Sequence, residues 1–168
     1  AVARAQDPVL PAGVTVAIVT AIERGQDWLV RSQQQDGGWR SAAGYGSYPV
    51  AMTSLAGIAL VCGGATPTRG KHFAAVRGAM RCVKRAADPA SGLIASLGED
   101  DHSMYAHGFA TLFVASVYGM EEDVREQQAL KGVLDRAVHL IESSQAPNGG
   151  WNYTPAAGFD EGSVTVTQ

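Results

Sequence analysis

The phrase QQQDGGW at residues 33–39 returns as QAPNGGW at 145–151, and no other feature restricts the folding of this chain as strongly. From Trp39 to Trp151 is 112 positions, and the match runs back without a gap, pairing ERGQDWLVRSQQQDGGW (23–39) with DRAVHLIESSQAPNGGW (135–151). A repeat of this kind marks a supersecondary unit that cannot bury its apolar face alone and needs a neighbouring copy to cover it. The architecture is therefore periodic.

The segments around the phrase have two characters. Between Val14 and Ser32, Val14, Ile18, Ile22, Gly25 and Leu29, flanked by Ala17, Ala21 and Trp28, recur at helical spacing, while Glu23, Arg24, Asp27 and Arg31 lie elsewhere. Residues 128–144 repeat the pattern, with Leu130, Val133, Leu134, Ala137, Val138, Leu140 and Ile141 opposed to Lys131, Asp135, Arg136 and Glu142. Each of these helices is expected to have one wet face. Residues 41–68 and 102–120, in contrast, contain no Asp, Glu, Lys or Arg. Their centres, AMTSLAGIALVC (51–62) and MYAHGFATLFVASVYGM (104–120), suit helices buried on nearly every side. Gly57 and Gly108 would each cost about 1 kcal/mol relative to Ala in an exposed helix, but they let neighbouring helices approach closely.

A degenerate copy lies between the clear ones. RGAMRCVKRAADPASGLI (77–94) is amphipathic and then carries Asp88-Pro89 and Ser91-Gly92, with Leu93 in the place of Trp39. Gly64 and Gly119, within the charge-free stretches, are 55 positions apart, so the unit is a helical hairpin: outer amphipathic helix, glycine turn, buried inner helix. GSVTVTQ (162–168) aligns with VAMTSLA (50–56) and begins a further inner helix. The expected fold is all-α. It is a two-layer α/α array over residues 14–168, two hairpins and the start of a third, that closes into a toroid under uniform curvature, with residues 1–13 as a flexible segment. An α-solenoid is the alternative, disfavoured because both its helix layers would normally carry charge.

The repeated phrase reads as a clamp between hairpins. Gly37-Gly38 and Gly149-Gly150 supply positive φ after a helix, preceded by the turn-formers Asp36 and Asn148. Gln33 and Gln145 can bond orphan groups at nearby helix ends, with Trp39 and Trp151 stacked against them.

Composition excludes several classes. At 168 residues the chain can bury one core. A net charge of −3 without a Lys/Arg cluster offers no footprint for nucleic acid. No apolar run approaches the roughly 20 residues of a membrane helix. Cys62 and Cys82 lack metal-ligand spacing and read as buried small residues, a bridge between them being the alternative; neither metal nor cofactor is expected. The opening AVARA contains Ala3-Arg4-Ala5, the small-x-small form that ends a secretory signal. This points to export to the periplasm or beyond, with an arbitrary boundary on a cytoplasmic protein as the alternative.

Arg24-Gly25-Gln26-Asp27-Trp28-Leu29, Gln33 and Gly37-Gly38-Trp39 together resemble the QW motif of the squalene cyclase and prenyltransferase repeat family. There a basic residue and glycine, an aromatic-Leu pair, a Gln and a G-x-W recur at these spacings. The second copy departs at Ala137 and His139-Leu140 and keeps Gln145 and Gly149-Gly150-Trp151. The resemblance implies an α/α toroid whose inner helices line a cavity that holds isoprenoid chains in family enzymes. Family rings contain more hairpins than this chain, which therefore reads as a piece of a longer protein. The family's catalytic sets are missing: Glu99-Asp100-Asp101 is not Asp-x-Asp-Asp, neither cysteine has an Asp two residues before it, and there is no Gly-Cys-Gly-Glu-Gln thioester signature.

Polar residues that a core does not need gather at the starts of the charge-free helices: Tyr45 and Tyr48; Asp100, Asp101, His102, Tyr105 and His107; Asp160 and Glu161. In a toroid these places are equivalent and converge on one mouth of the cavity, the default position of a site. Each also has a structural reading. Asp100, Asp101 and Asp160 can cap helices for about 0.5–2 kcal/mol, His102 can donate to a loop carbonyl, His107 can be a satisfied core residue, and the tyrosines can seal a rim. His72 and His139, in outer segments, read as structural or solvated. The expected function is a noncatalytic scaffold binding a lipid, an isoprenoid or a protein, which self-associates or meets a partner at an open edge. The alternatives are part of a cyclase or prenyltransferase whose catalytic residues lie beyond Gln168, and a carbohydrate-active α/α barrel pairing Asp100 or Asp101 with Asp160 or Glu161.

Overall fold

The computed structural model of the chain describes residues 10–41, 48–156 and 158–168. Tyr45 and the AVARA segment lie outside them. Six α-helices occur among the described residues: α1 (Val16–Ser32), α2 (Pro49–Cys62), α3 (Phe73–Arg85), α4 (Ser103–Tyr118), α5 (Val124–Ser143) and the short α6 (Gly162–Thr165). A 3₁₀ segment, Leu97–His102, leads into α4. No strand occurs among these residues, although Ala87 and Ile94 form an isolated bridge, and the class is all-α.

Helix starts follow from local chemistry. Thr15 accepts from Ile18 N–H at the head of α1, and Asp123 accepts from Arg125 and Glu126 N–H at the head of α5, satisfying donors that the helix leaves orphaned. The head of α2 is capped from a distance. Pro49 needs no partner there, and the buried Glu99 carboxylate accepts from Val50 and Ala51 N–H, both at 3.1 Å. Glu99 also closes a capping box with Ser96.

α4 occupies the centre, packed against α2, α3 and α5. Gly57 and Gly108 explain how closely its neighbours come. A Cβ built on Gly57 would lie 2.5 Å from the Phe113 ring of α4, and one on Gly108 would lie 2.3 Å from the Thr167 carbonyl oxygen just past α6. Phe113, Leu60, Val76, Val83, Val114, Val117, Leu130 and Ile94 are wholly excluded from solvent, each large apolar side chain contributing about 1.5–3 kcal/mol.

Three turns, between α1 and α2, between α3 and the 3₁₀ segment before α4, and between α5 and α6, share one hydrogen-bond scheme. Gln34 N–H donates to Gly38 O, Asp88 N–H to Leu93 O and Ala146 N–H to Gly150 O, at 2.8–2.9 Å. Gly37, Gly92 and Gly149 hold φ of 88°, 81° and 92°, where a side chain would be strained. The next N–H then reaches the following inner helix: Trp39 and Trp151 donate to Thr53 and Thr165 Oγ1, each at 3.0 Å, and Ile94 donates to His107 Nδ1 at 3.1 Å. Ile94, not Leu93, therefore holds the tryptophan position, because the middle turn carries one extra residue.

The clamp differs in detail from its expected form. Only the first glycine of each pair has positive φ. The second is needed for close approach, since a Cβ on Gly150 would lie 2.4 Å from Asp160 Cβ, and one on Gly38 3.0 Å from Cys82 Sγ. The indole N–H groups of Trp39 and Trp151 donate to Leu29 O and Ile141 O of the preceding helices. Gln33 donates to Gly37 O and to Ala75 O of α3, and Gln145 to Gly149 O.

Three further expectations are corrected. α1 is mostly wet on its apolar side as well, with Ile18, Ile22 and Trp28 exposed by 45%, 53% and 61%, because α2 alone packs on it to any extent. Gly25, with no atom within 4 Å of a built Cβ, and the exposed Arg24 and Trp28 take no part in the clamp. Cys62 is exposed rather than buried, Cys82 is partly buried, and both are free thiols.

Candidate functional site

The 3₁₀ segment places Asp100, Asp101 and His102 beside Tyr48, and the four line a hollow of about 340 Å³ with Leu97, Gly98 and Glu99. Tyr48 has φ of 38°, the left-handed region that costs a non-glycine residue about 1–3 kcal/mol. It is the only such residue other than glycine among those described. In the first turn of α4, Tyr105 continues the polar rim. Its ring lies 6.4 Å from that of His102 and 5.9 Å from that of Tyr153, and His102 meets Tyr153 edge-on at 4.6 Å. The Tyr105 hydroxyl bonds the Ser163 hydroxyl, which is also bound to Glu161. Tyr48, Asp100, Asp101, His102, Tyr105 and Glu161 thus form a connected rim at the amino-terminal ends of α2, α4 and α6.

Two expected members are elsewhere. His107 is fully buried, with Nδ1 accepting from Ile94 N–H and Nε2 paired with Ala137 O at 3.2 Å, so both ring nitrogens are committed to backbone and none faces the mouth. Asp160 is drawn to the third turn by the Asn148 amide and packs over Gly150. Tyr153 is the rim residue that sequence reasoning missed; its signal was an aromatic two positions past Trp151. Glu99 also gained a role its neighbours hid, although Ser96-x-x-Glu99 spells a capping box.

Below the rim, α2 and α4 present apolar side chains to solvent. Leu55 and Cys62 on α2 and Leu112 on α4 are exposed, with Ile58, Tyr105 and Phe109 half-buried between them; Leu55 is 42% and Leu112 56% accessible. The spacings 55, 58, 62 and 105, 109, 112 trace one helical face each. Burial on nearly every side is thereby corrected: one face of each of these helices stays open.

Electrostatics separates the rim from the core. The Ser163 hydroxyl and the Ser163 and Val164 amides hold the Glu161 carboxyl below its ordinary range, while desolvation and the Glu161 charge push the Tyr153 phenol up. Burial pushes His107 down, against a smaller opposing effect of its Ala137 bond; Nδ1, accepting from Ile94 N–H, has no room for a proton, which leaves Nε2 to donate to Ala137 O. The rim can orient a polar group by hydrogen bonding.

A separate hollow of about 390 Å³ lies between α3 and the start of α5, where Arg77, Arg81, Lys84 and Arg85 face Glu121, Asp123 and Glu126. Its carboxylates are engaged: Lys84 pairs with Glu126, and Glu121 and Asp123 accept backbone N–H groups at the start of α5. No group of three or more His, Cys, Asp or Glu able to hold a metal occurs among the described residues. No helix of these residues is long and apolar enough to cross a membrane. No family model, curated protein or solved structure matches this chain.

Proposed function

We propose that the chain is a segment of an α/α toroid of the squalene cyclase and prenyltransferase repeat type, acting as a noncatalytic scaffold that binds an isoprenoid or similar lipid chain along α2 and α4. The observation that carries this reading is the exposed face Leu55, Ile58, Phe109 and Leu112 on helices without a charged residue. Solvent-facing positions of an ordinary surface helix would carry charge, whereas a face kept apolar and open is suited to an apolar occupant. The aromatic and carboxylate rim at one end supports a ligand with a polar terminus. QW-like phrases at Gln33–Trp39 and Gln145–Trp151 support the family reading, and the three turns with a common bond scheme support the repeat.

Binding of a fluorescent isoprenoid alcohol tests the proposal. Saturable binding is expected, and Leu112→Glu should weaken it by about tenfold or more, since a leucine contact is worth roughly 1.5–3 kcal/mol. Binding that is absent, or equal in wild type and Leu112→Glu, removes the ligand reading.

A further inference from the structure

The hollow between α3 and the start of α5 has walls of opposite charge that do not neutralise each other. Arg77, Arg81 and Arg85 follow at four-residue spacing along one face of α3. Glu121 and Asp123 face them, and the buried Met80 adds an apolar contact. Among the described residues, Lys84 and Glu126 form the one ion pair that crosses between the walls. At about 390 Å³ the space falls within the roughly 300–1,000 Å³ of small-molecule sites.

Both walls have bonding capacity to spare. Arg77 donates Nε–H to Pro67 O at 3.0 Å and Arg85 donates from Nη2 to Asp36 O at 2.7 Å, whereas a guanidinium carries five N–H donors. Arg81 is exposed and has no hydrogen bond or ion pair among the described residues. Opposite, Glu121 is 7% exposed, and its Oε1 accepts from Glu122 and Asp123 N–H, each at 2.9 Å. Its Oε2 has no partner among the described residues and is still reached by solvent, so in a residue this buried it opens on the hollow that Glu121 lines. A glutamate so buried ordinarily has a cation beside it, and here none forms an ion pair with it. Asp123 likewise accepts Arg125 and Glu126 N–H through Oδ1 and leaves Oδ2 over.

We propose that this hollow binds a small zwitterion of peptide type, its carboxylate against Arg77 and Arg81 and its ammonium against Glu121 and Asp123. A simple anion or a simple cation would satisfy one wall and lie against the like charge of the other, whereas a zwitterion complements both. Guanidinium groups offer a fork that matches a carboxylate. Backbone N–H groups already fix the Glu121 and Asp123 carboxylates, so little order is lost there on binding. The site shares no lining residue with the open apolar face of α2 and α4, and it stands or falls independently of the lipid proposed there.

Calorimetric titration of the full chain with alanylalanine tests it. Saturable binding is expected. The N-acetylated dipeptide, which has no ammonium, and the dipeptide amide, which has no carboxylate, should each bind about tenfold or more weakly. Arg81→Gln, at an exposed position without protein bonds, should weaken alanylalanine binding by about tenfold or more, with unchanged far-ultraviolet circular dichroism. Asp123→Asn, which keeps a capping side chain, should weaken it likewise, and Leu112→Glu should leave it unchanged. Absence of alanylalanine binding overturns the proposal, as does binding that survives both Arg81→Gln and Asp123→Asn. Equally tight binding of the acetylated dipeptide would make this a plain anion site, and of the amide a plain cation site; either result overturns the zwitterion.

Discussion

The first and third turns have nearly the same residues and the same backbone, yet different surroundings. Each has a glycine near φ of 90°, an indole N–H bonded to the preceding helix, and a tryptophan N–H bonded to a threonine 14 residues on. Trp39 is 5% exposed and Gly37 is pressed against α3, whereas Trp151 is only partly buried and Gly149 faces open space. The path of the turn is thus local chemistry, and its burial is a property of the neighbour. If so, the same substitution should have unequal effects at the two places.

The largest inequality is expected at the indoles. Trp39→Ala should cost about 3–5 kcal/mol in urea denaturation, the usual range for emptying a buried aromatic site, and Trp151→Ala clearly less. Equal losses would mean that the two turns are equally packed. Next come the glycines. Gly37→Ala should lose about 1–2 kcal/mol for the left-handed conformation and about 1–3 kcal/mol more for displacing the turn from Gly78. Gly149→Ala should lose only the first part.

The middle turn sharpens the comparison by changing the acceptor. His107 does for Ile94 what Thr53 and Thr165 do for the tryptophans, but an imidazole titrates. Its folded pKa lies below the unfolded value near 6.5, because burial disfavours the charge and a proton on Nδ1 would oppose the Ile94 N–H. The unfolded chain therefore binds the proton more readily. The stability contribution is complete above about pH 6.5 and is lost as pH falls from there through the folded pKa, by at most about 1.4 kcal/mol per pH unit. Denaturation between pH 7.5 and 5.5 should show this fall, and His107→Gln should flatten it; an unaltered slope in the variant would assign the effect to other groups.

Legibility followed the range of each signal. The glycine turns could be read because their cause lies within a few residues, positive φ demanding glycine. The charge-free stretches were legible as helices, but the face that α2 and α4 keep open was not, because absence of charge alone does not say what covers a helix. Ile94 was misplaced by one because Asp88 pairs five residues on where Gln34 pairs four residues on, and spacing alone does not reveal an inserted residue. The role of His107 was hidden because unlike side chains share an acceptor function. Asp160 left the expected rim since the Asn148 amide competes for it. Tyr48, Asp100, Asp101 and His102 could be placed together from the repeat, whereas the packing of Tyr153 on His102 depends on a loop with no periodic signal.

The smallest expected difference lies between the two glutamines. Gln33 joins its own turn to α3 through Gly37 O and Ala75 O, both below 3 Å, and it is half-buried where Gln145 is exposed. Gln33→Leu keeps the bulk and removes both donors, leaving the carbonyls without this partner where water has limited access; a loss of about 1–3 kcal/mol is expected. Gln145→Leu removes one bond in a place where water can replace the amide, so about 0.5–1 kcal/mol or less should be lost from the monomer. Urea denaturation of the two variants should show this difference. Equal losses would show that the third turn is as closely covered as the first.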